Sequence, residues 1–368
     1  MRLLVAIAGV SFAVILMLMQ IGFAAALYAS SVRLHEAMQG EVVLISPLSS
    51  YITGMRSFPR VRLYQALGVP GVASVSALYC GVPSWKNLDT GRNRDIFLLG
   101  IDPGQEVLAI PGLNEHRELL RQPDIVFFDR ASRPEYGPVA DALERGRTVT
   151  VEMANRRVTV GGLFRLGTSF GYDGTVITSD LNFLRIMSAH APEVIEIGLV
   201  RLRPGADPRA VRDALDAALA PDVEVLTKRQ YIDREVAYWA DVTPIGFITT
   251  FGAIMGFVVG SVIVYQILFA DVTDHLSEYA TLKAVGHTDL YLAGVVVSQA
   301  VMLAVLGFLP GVGVAHRLYR VTEDATQLPM HLTPQSGLLV LGLTVLMCSM
   351  AGMLALRKVR SADPAEIF

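Results

Sequence analysis

Charge is scarce in this sequence. Only 18% of its 368 residues are Asp, Glu, Lys or Arg, where soluble domains carry about a quarter. Neither sign dominates: 31 basic and 34 acidic side chains leave a net charge of −3. Such a balance gives no basic footprint for nucleic acid, and none is expected as a partner. Cysteine is scarcer still. Cys80 and Cys348 are the two present, and they form neither a CxxC redox pair nor a zinc-type spacing. Chemistry-bearing patterns are missing too: there is no GxxxxGK[ST] phosphate loop and no HExxH pair, and no nucleophile elbow is expected. The seven histidines are scattered. Asn114-Glu115-His116-Arg117-Glu118 clusters potential ligands, but on a short polar helix such a run reads as a solvated face. No catalytic, metal or cofactor residue is assigned, so any energy must come from a partner.

What is present is hydrophobic residue, 52% of the chain, concentrated in four runs: residues 3–27, 245–270, 290–315 and 338–356. The first would reach about 37 Å as a helix, more than the roughly 30 Å hydrocarbon core of a bilayer. That length favours an uncleaved anchor over a signal peptide, whose apolar region is shorter. The second run follows Thr243-Pro244, a helix-start pair. Within it Gly252, Gly256 and Gly260 recur every four residues on one face, as close helix packing in lipid requires. In the third, Ala300, Ala304 and Gly311 lie near one face and Pro310 marks a kink or an end. Gln20, Gln266 and Gln299 place one amide in each of the first three runs, read as interhelical hydrogen-bonding groups. No span carries a charge near its centre, which disfavours an ion-driven carrier. Arg2, Arg357, Lys358 and Arg360 put both termini in the cytoplasm, while Arg317 and Arg320 argue mildly the other way.

These features predict a membrane protein with four transmembrane α-helices and a large extracytoplasmic α+β domain between helices 1 and 2. The expected segments are helix 1 at 1–28, the domain at 29–242, helix 2 at 243–270, a cytoplasmic helix at 271–287, helix 3 at 288–315, a loop at 316–336, helix 4 at 337–356 and a tail at 357–368. Inside the domain, strands are expected at 42–46, 72–79, 95–101, 125–128, 149–153, 158–164, 195–202 and 223–226. Helices are expected at 60–67, 208–219 and 231–239, the second of them completing a βαβ-like unit.

The stretch from Asp271 to Gly286 is the most informative. Val272, Leu276, Tyr279 and Leu282 recur at helical spacing, with acids early, Lys283 late and Gly286 where a helix ends. Thr288-Asp289 then suits the cap of the next helix. The polar face is largely acidic, whereas a lipid-anchored helix favours Lys and Arg there, so a protein partner fits better.

Glu278-Tyr279-Ala280-Thr281-Leu282-Lys283-Ala284-Val285-Gly286 resembles the segment after the second span in ABC transporter permeases of the FtsX/MacB family. The tail Ser361-Ala362-Asp363-Pro364-Ala365-Glu366 is similar to their C-terminal ending. More narrowly, Leu44-Ile45-Ser46-Pro47, Ser57-Phe58-Pro59-Arg60, Arg62-Leu63-Tyr64-Gln65-Ala66-Leu67 and Ser84-Trp85-Lys86-Asn87 resemble the DevC subfamily. The resemblance implies a non-catalytic permease in a bacterial inner membrane, working as a homodimer with an ABC ATPase subunit. A periplasmic adaptor and an outer-membrane channel would complete an exporter of a lipid-like substrate, a glycolipid for the DevC type. No cofactor would bind this chain; ATP would be used by the partner. Glu278, Leu282, Lys283 and Gly286 would contact the ATPase, and Gly252, Gly256 and Gly260 would pack helices. Two alternatives stand beside this reading: an FtsX-like regulator of a cell-wall hydrolase, and a membrane-anchored sensor or scaffold without an ATPase.

Overall fold

The structure is a computed structural model that describes residues 2–87 and 90–361; residues 362–366 of the tail motif lie outside them. The chain divides into two compact units, Leu27–Val242 on the one hand and Met1–Ala26 with Thr243–Phe368 on the other.

Helix α1 (Arg2–Ala37) starts the chain. The hydroxyls of Ser30 and Ser31 bond the carbonyls of Leu27 and Tyr28, so polar side chains cause no break near its end. There follow β1 (Val42–Ile45), β2 (Phe58–Pro59), α2 (Val61–Leu67), β3 (Val72–Gly81), β4 (Ser84–Lys86), β5 (Asn93–Asp95), β6 (Phe97–Ile101) and β7 (Ile125–Asp129). After these come α3 (Val139–Glu144), β8 (Val149–Met153), β9 (Arg156–Phe164), β10 (Thr175–Ser179), α4 (Asp180–Ile186), β11 (Val194–Ile195), β12 (Ile197–Leu202), α5 (Pro208–Ala218), β13 (Glu224–Thr227) and α6 (Lys228–Ala237).

Eleven strands form one sheet in the order β13-β1-β12-β3-β6-β10-β7-β9-β8-β4-β5, and β2 pairs separately with β11. The β6/β10 and β7/β9 neighbours run parallel. Strand β1 shows how the sheet divides two cores. Val42 and Leu44 point into one, with Leu63 and Ala66 of α2 and Val211 and Leu215 of α5. Val43 and Ile45 point into the other, with Leu34 of α1 and Tyr231 of α6. This is the two-residue period of a strand buried on both faces. Helix α5 starts where Asp207 accepts the Arg209 N–H and Pro208 takes the first turn.

The expected βαβ-like unit is present in split form. β12 and β13 both pair antiparallel with β1, which lies between them. The strand expected at 195–202 breaks at Glu196, a buried carboxylate that accepts the Cys80 N–H at 3.0 Å and meets His190 Nε2 at 2.8 Å. The helix expected at 231–239 starts earlier, at Lys228, because Thr227 and Gln230 form a capping box. It gives way to a π-helical turn over Tyr238–Val242.

In the other unit, α7 (Pro244–Asp274), α8 (Leu276–Ala284), α9 (Asp289–Thr326) and α10 (Pro334–Ser361) complete the helices. Among the described residues, α1, α7, α9 and α10 make four helices long and apolar enough to cross a membrane. Helix α9 corrects the expected end of helix 3 at residue 315. It passes through Pro310 and continues to Thr326, so most of the loop expected at 316–336 is helix. The extension is held by Tyr319, which is buried and donates its hydroxyl to the Leu18 carbonyl of α1. Gln327 ends the helix in the left-handed conformation, at φ 59°.

Candidate coupling site

The amphipathic helix expected from Asp271 onward is interrupted. Helix α7 runs on to Asp274, and His275 leaves helical geometry with φ −102° and ψ 20°. Its Nδ1 lies 2.9 Å from the Asp271 carbonyl, where the helix ends. Val272 is therefore part of α7, buried in the helix bundle, and α8 is a separate element of nine residues.

Two caps fix α8 and its successor. The Gly286 N–H donates to the Lys283 carbonyl at 3.1 Å and the His287 N–H to the Leu282 carbonyl at 3.1 Å. That pair of bonds is a Schellman motif, and its left-handed position is Gly286 at φ 104°. Two residues later, the Thr288 hydroxyl accepts the Tyr291 N–H at 3.3 Å and caps α9. The turn between the helices is thus closed by backbone bonds at both ends.

The four residues expected to meet an ATPase occupy different settings. Glu278 and Gly286 are exposed, whereas Leu282 and Lys283 are half-buried. Leu282 packs against the helix bundle, so part of its apolar surface is already used within this chain. The residue that sequence periodicity overlooked is Val285, 75% exposed at the end of α8. It stands three residues after Leu282, so the same spacing carried one step further would have included it. Tyr279 is buried, and its hydroxyl donates to Gln299 Oε1 of α9 at 3.5 Å. Burial, with Asp271 and Glu278 adding to it, raises the pKa of that phenol.

The structure sets Gly252, Gly256 and Gly260 of α7 against α1. A Cβ at Gly252 would come within 2.5 Å of the Gln20 amide, at Gly256 within 3.2 Å of Leu16 Cβ, and at Gly260 within 2.5 Å of Ala13 Cβ and of Met347 Sδ on α10. Helix α9 approaches α1 in the same way: Cβ atoms at Gly307 and Gly311 would meet Val10 and Val14. The Ser11 hydroxyl donates to the Gly307 carbonyl at 2.8 Å. Gln266 and Gln299 line a recess of about 860 Å³ whose other walls include Leu3, Ala6 and Met302.

Sequence patterns for chemistry find no matching geometry. Gly167-Thr168-Ser169-Phe170-Gly171 does carry the G-x-S-x-G spacing, contrary to expectation. An elbow needs a strand, a sharp turn and a helix. This segment is instead a loop between β9 and β10, where buried Ser169 accepts the Gly171 N–H at its Oγ, 3.3 Å away. The 114–118 cluster sits in a turn leading to a 3₁₀ helix at Arg117–Arg121. Among the described residues, no group of three or more His, Cys, Asp or Glu could hold a metal.

Residues 3–218 match the family described as MacB-like periplasmic core domain, and residues 250–364 match FtsX-like permease C-terminal. No curated protein matches the chain. Among solved structures, the extracellular domain of the ABC-type transporter YknZ from Gram-positive bacteria is 15% identical, with 50% of this chain and 99% of that one covered, at a TM-score of 0.36. The periplasmic region of MacB from Actinobacillus actinomycetemcomitans is 11% identical, with 52% and 91% covered, at a TM-score of 0.35.

Proposed function

Because the chain belongs to the MacB-like family, with an FtsX-like permease region at its C-terminal end, we propose that it is the non-catalytic membrane subunit of an ABC exporter. Permeases of this family work with ATPase partners. In the proposed mechanism, closure of a separate ATPase pushes on α8, and the helix bundle moves with it. Glu278, Lys283 and Gly286 lie at that contact, with Val285 as its apolar anchor. Leu282 backs α8 from the bundle side. Two copies of the chain sit in the bacterial inner membrane with both termini cytoplasmic. A periplasmic adaptor and an outer-membrane channel receive a lipid-like substrate, a glycolipid if the chain is of the DevC type.

The observation that carries the reading is α8 itself. A nine-residue helix exposes Glu278 in its first turn, and the Schellman turn that closes its end exposes apolar Val285 next to Gly286. It is tied to α9 through Tyr279 and Gln299. An apolar side chain exposed at a helix end that backbone bonds hold in place suits a protein contact.

The experiment compares Val285→Asp with Leu282→Asp in cells that depend on the exporter. Val285→Asp should abolish export while leaving expression and melting temperature unchanged, because an unpaired charge in a partner's groove costs several kcal/mol. Leu282→Asp should lower export and melting temperature together. Normal export by well-expressed Val285→Asp would remove α8 from the mechanism.

A further inference from the structure

Inside the Leu27–Val242 unit, polar side chains from four elements close on a cleft of about 90 Å³, the space of about three water molecules. Arg60 precedes α2 and Tyr64 stands on it, Tyr79 lies on β3, Asp102 and Gln105 follow β6, and Asp180 opens α4. Tyr79 is only 1% exposed. Its hydroxyl accepts from Arg60 Nη1 at 3.3 Å. Burial raises this phenol, with Arg60 opposing, so the group keeps its proton at neutral pH. That proton has no acceptor among the described residues, and Arg60 has no ion pair among them. A buried donor left this way is costly, so its acceptor must come from the cleft.

We infer that this cleft binds one neutral sugar unit, whose hydroxyl groups accept from Arg60 and Tyr79 and donate to Asp102 and Asp180. A hydroxyl is one donor and two acceptors, so neighbouring hydroxyls satisfy a guanidinium, a phenol and carboxylates together. Asp102 and Asp180 already accept the Gly104 and Leu181 N–H groups at 2.8 and 2.9 Å, and a carboxylate has room for further donors. Gln105 takes the Ser76 hydroxyl at its Oε1, which leaves its NH₂ group to donate. Tyr64, 60% exposed, sets an aromatic ring beside these groups. An aromatic wall with a few convergent polar groups is the usual make-up of a small-molecule site.

The charges around the cleft disfavour simpler ligands. An anion drawn to Arg60 would stand by two carboxylates, and a cation drawn to the carboxylates would stand by a guanidinium. Burial raises the Asp180 carboxyl, Asp102 adds to the rise and Arg60 opposes it, so the three groups lie close enough to feel one another. A zwitterion meets both signs, but it gives the uncharged Tyr64 ring and Gln105 amide less to hold. The sugar is either the headgroup of the lipid-like substrate or a soluble saccharide. The first source rests on the proposed export function, whereas binding itself does not.

The test is saturation-transfer NMR on the full chain in nanodiscs, with empty nanodiscs subtracted. Methyl β-glucoside and methyl β-galactoside are the sugar probes, and phosphoethanolamine is the zwitterion. At least one glycoside should receive saturation from the wild-type chain, and phosphoethanolamine should not displace it. Arg60→Gln should weaken binding roughly tenfold, the scale of a hydrogen bond to a charged group, and Tyr79→Phe severalfold while the ring stays in place. Gln105→Ala, at an exposed position, should also weaken it without touching the core. Digalactosyl diacylglycerol carried in the nanodisc should displace the glycoside if the sugar arrives as a lipid headgroup, and leave it bound if the source is a soluble saccharide; both results keep the site. No transfer to either glycoside from the wild-type chain would overturn the inference even if no variant folded. So would transfer to phosphoethanolamine alone, or glycoside binding unchanged in Arg60→Gln and Tyr79→Phe. None of these results bears on the α8 contact, which lies in the other unit.

Discussion

Gly260 has the least room of the three glycines on its face, and the reason is the stiffness of what it meets. Ala13 Cβ cannot swing aside, whereas the Gln20 amide opposite Gly252 is the far end of a flexible chain. Spacing alone made the three equivalent; the neighbours on α1 rank them. Gly260→Leu should therefore cost about 1–3 kcal/mol of overpacking, and Gly252→Ala much less. Val258, 45% exposed on the same helix, serves as the control, since leucine suits a membrane span. Reversible unfolding of the detergent-solubilised chain checks this. Equal midpoints for Gly260→Leu and Val258→Leu would show that α1 and α7 do not need the close approach. His35 teaches the complementary lesson. One of seven histidines in the sequence, it meets the buried Glu235 of α6 only in the folded chain.

At the scale of elements, α8 stops at Ala284, just before the Gly286 turn, and α9 begins after Thr288, both for reasons visible in the sequence. A short link closed in this way should keep α8 in place as α9 moves. Gly286→Val would force a β-branched residue into the left-handed region and should fray the last turn of α8. Faster amide exchange at Val285, Gly286 and His287 is the expected result, with α9 unaffected beyond its first turn; unchanged exchange would mean that the Schellman turn does not hold the helix end. Elements with a clear period or a cap were legible before folding: the long apolar helices, α5 behind Asp207-Pro208, and β8 at Val149–Met153. Others were not. Strand β10, Thr175–Ser179, is buried on both faces and shows no alternation, and α4 follows it directly. The outer part of α9 was hidden because polar residues after Ala315 read as a loop, while the Tyr319 contact to α1 that supports it is tertiary. At the candidate site, type and spacing pointed to α8, but the inward turn of Leu282 and the exposure of Val285 depended on packing.

For the whole molecule, the proposed topology puts the Leu27–Val242 unit outside and α8 inside. Cys80 is a poor reporter, because burial and Glu196 hold its thiol well above the usual range. Arg229, 83% exposed, and Val285, 75% exposed, are better positions for cysteine. In cells with a permeabilised outer membrane, an impermeant maleimide should label Arg229→Cys and spare Val285→Cys until the inner membrane is opened. The reverse pattern would invert the topology. The most direct measurement of the coupling itself is ATP hydrolysis in chain purified from its native membrane under mild detergent. Wild type should carry an ATPase with it and hydrolyse ATP, and Val285→Asp should come through in equal amount with that activity lost. Wild-type chain free of ATP hydrolysis, or full activity retained by Val285→Asp, would contradict the account of α8 as the point where a separate ATPase drives this permease.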